Sequence, residues 1–234
     1  QCYIENPLLI SGKKFDIRLY VVIKGVEKIE AYVFEEGLAR FCTVSCNNFN
    51  ILWQSNYKRP DGVNMKNLFM HLTNYSLNKQ SEKFKTAGVD FADINSNARK
   101  QLLTNVYKKL LNKGRDVRLL KKQIEELAAK TVIALEPYLK NAYHCFISPD
   151  HQNPRCFHVL GLDILIDENW NCWLMEVNAN PSLNVYNDKE LPNGDIEQTL
   201  SEIDKYVKTS LVADTIALMS TAPLFSQKTK PLDE

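Results

Sequence analysis

From Gly161 to Ser182 the chain reads GLDILIDENWNCWLMEVNANPS, a pattern that fits little besides two paired strands around a short turn. By strict alternation Phe157, Val159, Gly161, Asp163 and Leu165 share one face of the first strand, and Cys172, Leu174, Glu176 and Asn178 share one face of the second. The intervening Glu168-Asn169-Trp170-Asn171 has the length and residue types of a hairpin loop. Pairing Asp167 with Cys172 sets Leu165 opposite Leu174 and Asp163 opposite Glu176. Two carboxylates facing each other across a ladder repel, and a cation between them relieves that repulsion. Asn178 adds a neutral oxygen on the same face. Three hard oxygen donors suit Mg²⁺ better than zinc. The alternative is a register displaced by one residue, which turns both acids to water.

The segment Lys14 to Ile23 has the cleanest alternation in the chain. Phe15, Ile17, Leu19, Val21 and Ile23 line one face, and Lys14, Asp16, Arg18 and Tyr20 the other. Such charges suit an exposed strand face or the floor of a charged cleft. Ile29, Ala31 and Val33 alternate in a second strand, and Glu36-Gly37 turns into a third, Leu38 to Val44, giving an antiparallel meander. Arg40 projects from this otherwise small and apolar strand and needs an anionic partner if buried.

Ser45 to Asn67 reads as a surface loop. Leu68 to Leu72 then leads, as a short strand, into the polar cluster Thr73-Asn74-Tyr75-Ser76. His71 reads as a satisfied histidine rather than a metal ligand. After a polar segment, Lys79 to Ile94, Ser96 is a candidate cap for a helix carrying Leu102, Leu103, Val106, Leu110 and Leu111 and stopping at Gly114. Asp116 caps a second helix, with Leu120, Ile124, Leu127, Thr131 and Leu135 on one face and Pro137 at its end. Arg99 to Lys122 holds nine basic residues and one acid, read either as a solvated helical face or as a patch for an acidic partner. Pro181 to Gly194 reads as loop. A final helix places Ile196, Leu200, Ile203, Val207 and Leu211 along one side, before a frayed tail from Ser220.

Composition narrows the classes. With 234 residues, 44% hydrophobic and 24% charged, the chain can bury a genuine core. A formal charge of +1 argues against bulk attraction to nucleic acid or membrane, and no apolar run is long enough to span a bilayer. The six cysteines form no CxxC pair, which favours reduced thiols over a zinc site. There is no internal repeat and no glycine-rich phosphate loop.

Four separated stretches share a pattern: KFDIR at Lys14–Arg18, EEGLARF at Glu35–Phe41, HLTNYS at His71–Ser76, and DILID followed by LMEVNANPS within Asp163–Ser182. In order and spacing they resemble the tubulin tyrosine ligase-like family, over roughly residues 1 to 219. The resemblance implies an α+β, ATP-grasp-like fold, an antiparallel sheet flanked by helices, of which this chain is the C-terminal part, with residues 220 to 234 as a flexible tail. It implies ATP and Mg²⁺ as cofactors. Gln1, Cys2, Tyr3 and Ile4 would meet the adenine, and Lys14, Phe15, Asp16, Thr73 and Asn74 would make further nucleotide contacts. Arg18 and Glu176 would be catalytic, and Arg40, Ser76 and Arg99 would hold the incoming amino acid. Asp163, Glu176 and Asn178, already selected by the hairpin argument, would be the magnesium ligands.

The implied activity is an ATP-dependent ligase that adds glutamate to the acidic tails of tubulin through an acyl-phosphate. Its partners would be tubulin, microtubules and free glutamate, with no nucleic acid and no membrane. The setting would be the cytoplasmic cytoskeleton, including the cilium or basal body. Glutamate carries two carboxylates, so Arg40 needs a second cation, for which Arg99 or Lys79 is the candidate. The phosphate-covering loop of the family is expected upstream of Gln1, so the isolated chain is expected to ligate nothing. A glycine or tyrosine ligase of the same family, or a non-catalytic remnant binding tails or nucleotide, are the other readings.

Overall fold

In the computed structural model, the described residues are 2–42, 57–73, 93, 98–147, 156–190, 195–220 and 229–231. The strands are β1 (Leu9–Ile10), β2 (Lys13–Lys24), β3 (Glu30–Phe34), β4 (Leu38–Phe41), β5 (Lys100–Leu102), β6 (Phe157–Ile166), β7 (Cys172–Asn178), β8 (Tyr186–Glu190), β9 (Ile196–Leu200) and β10 (Thr229–Pro231). The helices are α1 (Leu68–His71), α2 (Leu103–Asn112), α3 (Val117–Phe146) and α4 (Glu202–Met219).

β2 is the axis of an eight-stranded, antiparallel sheet. Along one edge it pairs first with β4 (Asp16 opposite Arg40) and then with β3 (Val21 opposite Val33). Along the other it pairs with β6 from Ile17 to Lys24, placing Arg18 opposite Asp163. β7 extends the sheet beyond β6, β5 extends it beyond β4, and β10 extends it beyond β3. Part of the tail expected to fray is therefore paired. The mixed α/β architecture, a mainly antiparallel sheet flanked by helices, agrees with the sequence expectation.

Alternation decides which layer each side chain joins. Phe15, Ile17, Leu19, Val21 and Ile23 enter the main core with Leu160, Leu162 and Ile164 of β6 and with α2 and α3, which contribute Leu103, Val106, Leu110, Leu120 and Ile124. Each such side chain, once fully buried, contributes about 1.5–3 kcal/mol. On the other face Tyr20, Val22, Phe34, Leu38 and Leu102 pack against Ile203, Val207 and Leu211 of α4. That helix covers only one end of the face. The other end, bearing Asp16, Arg18, Arg40 and Asp163, is left for the site.

Several boundaries depart from the sequence reading. Leu102 lies in β5, not in the helix, because its backbone pairs with Leu38 before α2 begins. Glu36, buried in the turn, accepts from the Thr104 amide and hydroxyl and so caps α2, while the proposed cap, Ser96, lies outside the described residues. Asp116 caps α3 as expected, through the Arg118 amide. α3 runs on through Pro137 to Phe146. The carbonyl that Pro137 cannot reach belongs to Ile133, which is 66% exposed, so water can satisfy it. Leu68–His71 is one helical turn rather than a strand. Residues assigned to loop and helix start instead form the β8–β9 hairpin, so Ile196 and Leu200 are strand residues and α4 begins after the Ser201 cap.

Candidate functional site

The site is built from charged residues on three neighbouring strands. Asp16 and Arg18, two residues apart on β2, project from the same face. Arg40 on β4 faces Asp16, and Asp163 on β6 faces Arg18. The resulting row alternates in sign across three strands. Arg40 grips Asp16 with two parallel bonds, Nε to Oδ1 at 2.8 Å and Nη2 to Oδ2 at 2.5 Å. Its Nη2 also donates to Asp163 Oδ2 at 2.8 Å. Arg18 forks onto the same carboxylate, Nε to Oδ1 and Nη2 to Oδ2. Thr73 adds a hydroxyl bond to Asp16 Oδ2 at 2.7 Å. The anionic partner that the sequence demands for Arg40 is thus supplied twice.

Electrostatics favour the charged forms of Asp163 and Arg40. Burial alone would raise the Asp163 carboxyl, but the Arg18 hydrogen bonds and the Arg40 charge outweigh it and leave it below the ordinary range. Burial likewise opposes the Arg40 charge, and bonding to Asp16 and the fields of Asp16 and Asp163 more than restore it. Paired through bidentate bonds, Arg40 and Asp163 keep their charges at the mouth of a cleft.

The cleft encloses about 210 Å³ and is lined by Lys14, His71, Leu72, Leu165, Met175 and Glu176 besides the charged row. Lys14 donates to the His71 carbonyl at 2.9 Å and to the Tyr3 hydroxyl at 3.1 Å, and lies 4.4 Å from the Tyr3 ring centre. Burial lowers its proton affinity, partly offset by Asp16. His71 bonds Tyr3 through Nδ1 and Asn64 through Nε2, the satisfied histidine expected from sequence. Burial lowers its pKa as well, so it is neutral at physiological pH. The Cys42 thiol behind them is pushed up by burial to about 12 and stays protonated.

On the β6–β7 hairpin the expected pairing survives where it matters and slips where it does not. Asp163 pairs with Glu176, and Gly161 with Asn178. Nearer the loop, Cys172 sits opposite Ile166 rather than Asp167, and Leu165 opposite Trp173 rather than Leu174. The cause is a bulge beside Asp163 that leaves Met175 as the extra residue. A bulge turns the remainder of a strand over. Leu174 and Cys172 therefore pack on the main core, whereas Glu176 faces the cleft. Asp167 folds back into the turn, taking bonds from the Asn169 and Asn171 amides and the Trp173 indole. At Gly161 a side chain would come within 2.9 Å of Pro181, so glycine lets the NANPS segment cross the strand.

Asp163, Glu176 and Asn178 suit a hard divalent cation in donor chemistry. Oδ1 of Asp163 accepts one bond from Arg18, leaving a lone pair for a metal, and Glu176 makes no ion pair or hydrogen bond among the described residues. Asn178 Nδ2 lies 3.5 Å from the Gly161 carbonyl, which directs its amide oxygen away from that carbonyl. The repulsion argued from sequence has a second source of relief, since Arg18 and Arg40 already neutralise Asp163. Among the described residues no three acids, histidines or cysteines gather as a metal cluster, and the candidate set is two carboxylates and an amide.

Not every candidate reaches the cleft. Phe15 lies on the opposite face of β2, 1% exposed and stacked on Phe41, because it is one residue out of phase with Asp16. Arg99 donates through Nε and Nη2 to the Phe41 carbonyl, which ties it to the β4 backbone. Tyr3 joins the cleft wall through Lys14, Cys2 is exposed and Ile4 is half-buried. Gln1, Asn74, Ser76 and Lys79 lie outside the described residues. Sequence reasoning missed Glu36, Lys100, Asp204 and Lys208. Their signals, an acid in a turn and a helix-start Ser-x-x-Asp, are common and point to no particular partner.

The basic residues from Arg99 to Lys122 are mostly on α2 and α3, the layer opposite the cleft. Several are engaged locally: Lys109 with Gln101, Arg118 with Asp116, Arg115 over Trp170 and Lys121 over Tyr107.

Comparison with known proteins agrees with this arrangement. The chain is 40% identical over 228 residues to tubulin polyglutamylase TTLL11 of Mus musculus, covering 97% of this chain and 29% of that protein. It is 38% identical over 223 residues to tubulin polyglutamylase TTLL6 of Mus musculus, covering 94% and 23%. A probable beta-tubulin polyglutamylase of Tetrahymena thermophila matches at 33% over 221 residues, covering 94% and 16%. The chain thus spans less than a third of the length of these relatives. No helix among the described residues is long and apolar enough to cross a membrane. The model of the Tubulin-tyrosine ligase family matches residues 1–223, and with described residues of all four motifs lining one cleft, this chain belongs to the tubulin-tyrosine ligase family.

Proposed function

We propose that this chain carries part of the catalytic core of an ATP-dependent ligase that adds glutamate to the acidic tails of tubulin. The observation that carries the reading is the sign-alternating row of Arg40, Asp16, Arg18 and Asp163, opening onto a cleft that also holds Lys14 and Glu176. Such a row suits a reaction between anions. Lys14 and Arg18 would attract and orient phosphate oxygens, and Arg40 would hold the carboxylate of the incoming amino acid in its fork. Asp163, Glu176 and Asn178 would hold Mg²⁺, which when bound neutralises charge on the phosphates. Thr73 and Asp163 keep Asp16 and Arg18 fixed, so these side chains need little reorganisation when charge moves. The tail carboxylate would take the terminal phosphoryl group of ATP, releasing ADP, and the amine of free glutamate would then attack the acyl-phosphate, forming the amide bond with loss of a proton and of inorganic phosphate.

The test is incubation of the full-length protein with tubulin, ATP, Mg²⁺ and isotopically labelled glutamate, followed by mass spectrometry of the tail peptides. Added glutamyl residues that require ATP are expected. Absence of incorporation, or addition of glycine or tyrosine instead, would overturn the glutamate assignment. Glu176→Gln should abolish incorporation without unfolding the protein.

A further inference from the structure

His71 is buried at the end of α1, just before Thr73 meets Asp16. Its surroundings fix where the ring carries its proton. Nε2 lies 3.2 Å from both the Asn64 carbonyl oxygen and Asn64 Oδ1. The Asn64 amide is oriented by its own bonds, since Oδ1 accepts from the Asp61 amide at 3.0 Å and Nδ2 donates to the Arg59 carbonyl at 2.7 Å. Two acceptors therefore face Nε2 and place the proton there, which leaves Nδ1 of the neutral ring as a lone pair. The Tyr3 hydroxyl, 3.1 Å away, donates to it. Tyr3 and Tyr57 pack edge-on against the imidazole, with ring centres 5.9 Å and 5.7 Å away, and hold its plane.

This assignment carries through to Lys14. With its proton on His71, the Tyr3 oxygen accepts from the Lys14 ammonium at 3.1 Å. The Tyr57 hydroxyl lies 3.3 Å from that of Tyr3 but donates to the Glu5 carbonyl at 2.9 Å. It therefore does not contest the Tyr3 oxygen. The His71 carbonyl takes a second Lys14 N–H at 2.9 Å. One residue thus holds the ammonium group twice, directly through its backbone and by way of Tyr3 through its ring. An ammonium has three N–H bonds, and Lys14 lines the cleft.

We propose that neutral His71 is a positioning residue for Lys14, which it aligns through the Tyr3 hydroxyl to meet the nucleotide, and that protonation of His71 undoes this alignment and weakens nucleotide binding. The assignment rests on the nucleotide role given to Lys14 above. A proton on Nδ1 turns the ring into a second cationic donor to the phenol oxygen, and the Tyr3 proton loses its acceptor. The titratable groups that face the ring are Lys14, Asp61, Tyr3 and Tyr57. Burial lowers the His71 pKa, the Asn64 bond and the Asp61 charge oppose that shift, and the Lys14 charge adds to it. Burial also keeps both phenols protonated. The alignment is therefore intact at neutral pH and is lost as the pH falls below the ordinary histidine value of 6.5.

The experiment is titration calorimetry of the full-length protein with Mg²⁺ and a non-hydrolysable ATP analogue, from about pH 7.5 down to about pH 5.5. Affinity should fall on acidification. In His71→Asn an amide oxygen can take the Tyr3 proton near the Nδ1 position but does not titrate. That variant should bind within about threefold of the unmodified protein at neutral pH. Its profile should keep only the pH dependence of the nucleotide's own phosphates. Tyr3→Phe and His71→Phe should raise the Kd at neutral pH about tenfold, the size of a lost hydrogen bond to a charged group, with KM for glutamate unchanged. Identical pH profiles in the unmodified protein and His71→Asn overturn the proposal, as does an equal loss of affinity in His71→Asn and His71→Phe. If the His71 variants do not fold, Tyr3→Phe decides, because it removes one hydroxyl from a residue that is 42% exposed. An unchanged Kd there refutes the proposal. Failure of the unmodified protein to bind the analogue refutes the nucleotide reading itself, whereas binding indifferent to Tyr3 and His71 refutes only their role.

Discussion

On one face of β2, Phe15, Ile17, Leu19, Val21 and Ile23 are each no more than 2% exposed and pack against α2 and α3. On the other face the same backbone presents Asp16 and Arg18, then Tyr20 and Val22, so that one end is a charged cleft and the other a second core under α4. The first face is stabilised by non-directional burial, in which each residue contributes separately and neighbours can partly adjust. The charged end works only as a set. Each of its carboxylates is tolerable because a guanidinium forks onto it, the Arg18 guanidinium because Asp163 accepts it, and the Arg40 guanidinium because two acids bracket it. The comparison separates stability from chemistry within a single strand.

Breaking the charged end should have the largest effect. Arg40→Met leaves Asp16 without its guanidinium and Asp163 with Arg18 alone, at a cost of about 3–5 kcal/mol and with loss of ligation. Replacing both partners, Asp16→Leu with Arg40→Met, should recover most of the stability in urea unfolding but none of the activity. Recovery of activity in the double variant would show that the row is structural. On the apolar face Ile17→Ala should cost about 2–5 kcal/mol by leaving a cavity, while KM for ATP and glutamate stay unchanged in the folded fraction. A changed KM would mean that the two faces are mechanically coupled.

A pH titration sharpens the same contrast. The folded-state pKa of Asp163 and of Asp204 lies below the ordinary 3.8, burial being outweighed in both cases by adjacent cations. Near that ordinary value the unfolded chain therefore binds more protons than the folded one. Both carboxylates stabilise the fold above the unfolded-state value, and this contribution is lost as the pH falls through the depressed native value. Stability from urea unfolding should be flat from neutrality to about pH 5 and fall below pH 4. In Asp204→Asn the slope of that fall should be shallower. Ile17→Ala should lower the whole curve without changing its slope, and a slope change there would contradict the separation of faces.

How much of this could be read in advance follows the same division. The alternation from Phe15 to Ile23 depends on a period of two and on burial alone, so the central strand and its layers were legible. Asp163 and Glu176 were legible too, since their pairing needs only a hairpin of about the right register. The bulge at Met175 was not, because no residue type marks it and because Leu174 and Cys172 satisfy the apolar pattern on either face. The helical turn of Leu68–His71 was hidden by its shortness, and the β8–β9 hairpin by polar residues that also suit loops. The helix continued past Pro137 because a solvent-facing carbonyl can do without its amide partner.

The smallest effect is expected where charge is dense but placed on the wrong layer. Lys108, Lys113 and Lys122 are exposed on α2, at its end and on α3, and these helices cover the apolar face of the sheet rather than the cleft. A tail peptide entering the cleft has the thickness of the sheet between it and these residues, comparable with the Debye length of about 8 Å at physiological salt. Neighbouring cations are already engaged with Gln101, Asp116 and two aromatic rings, as on a solvated helical surface. Reversing Lys108, Lys113 and Lys122 to glutamate should therefore change KM for an acidic tail peptide less than about twofold at physiological ionic strength. Repeating the measurement at low salt decides between the two readings of the stretch. A KM that rises steeply in the variant at low salt and converges with the unmodified protein as salt is added would mean that the tail passes round the β5 edge onto the back layer. In that case the basic helices are part of the docking path, and the separation of chemistry and stability between the two faces ends at that edge.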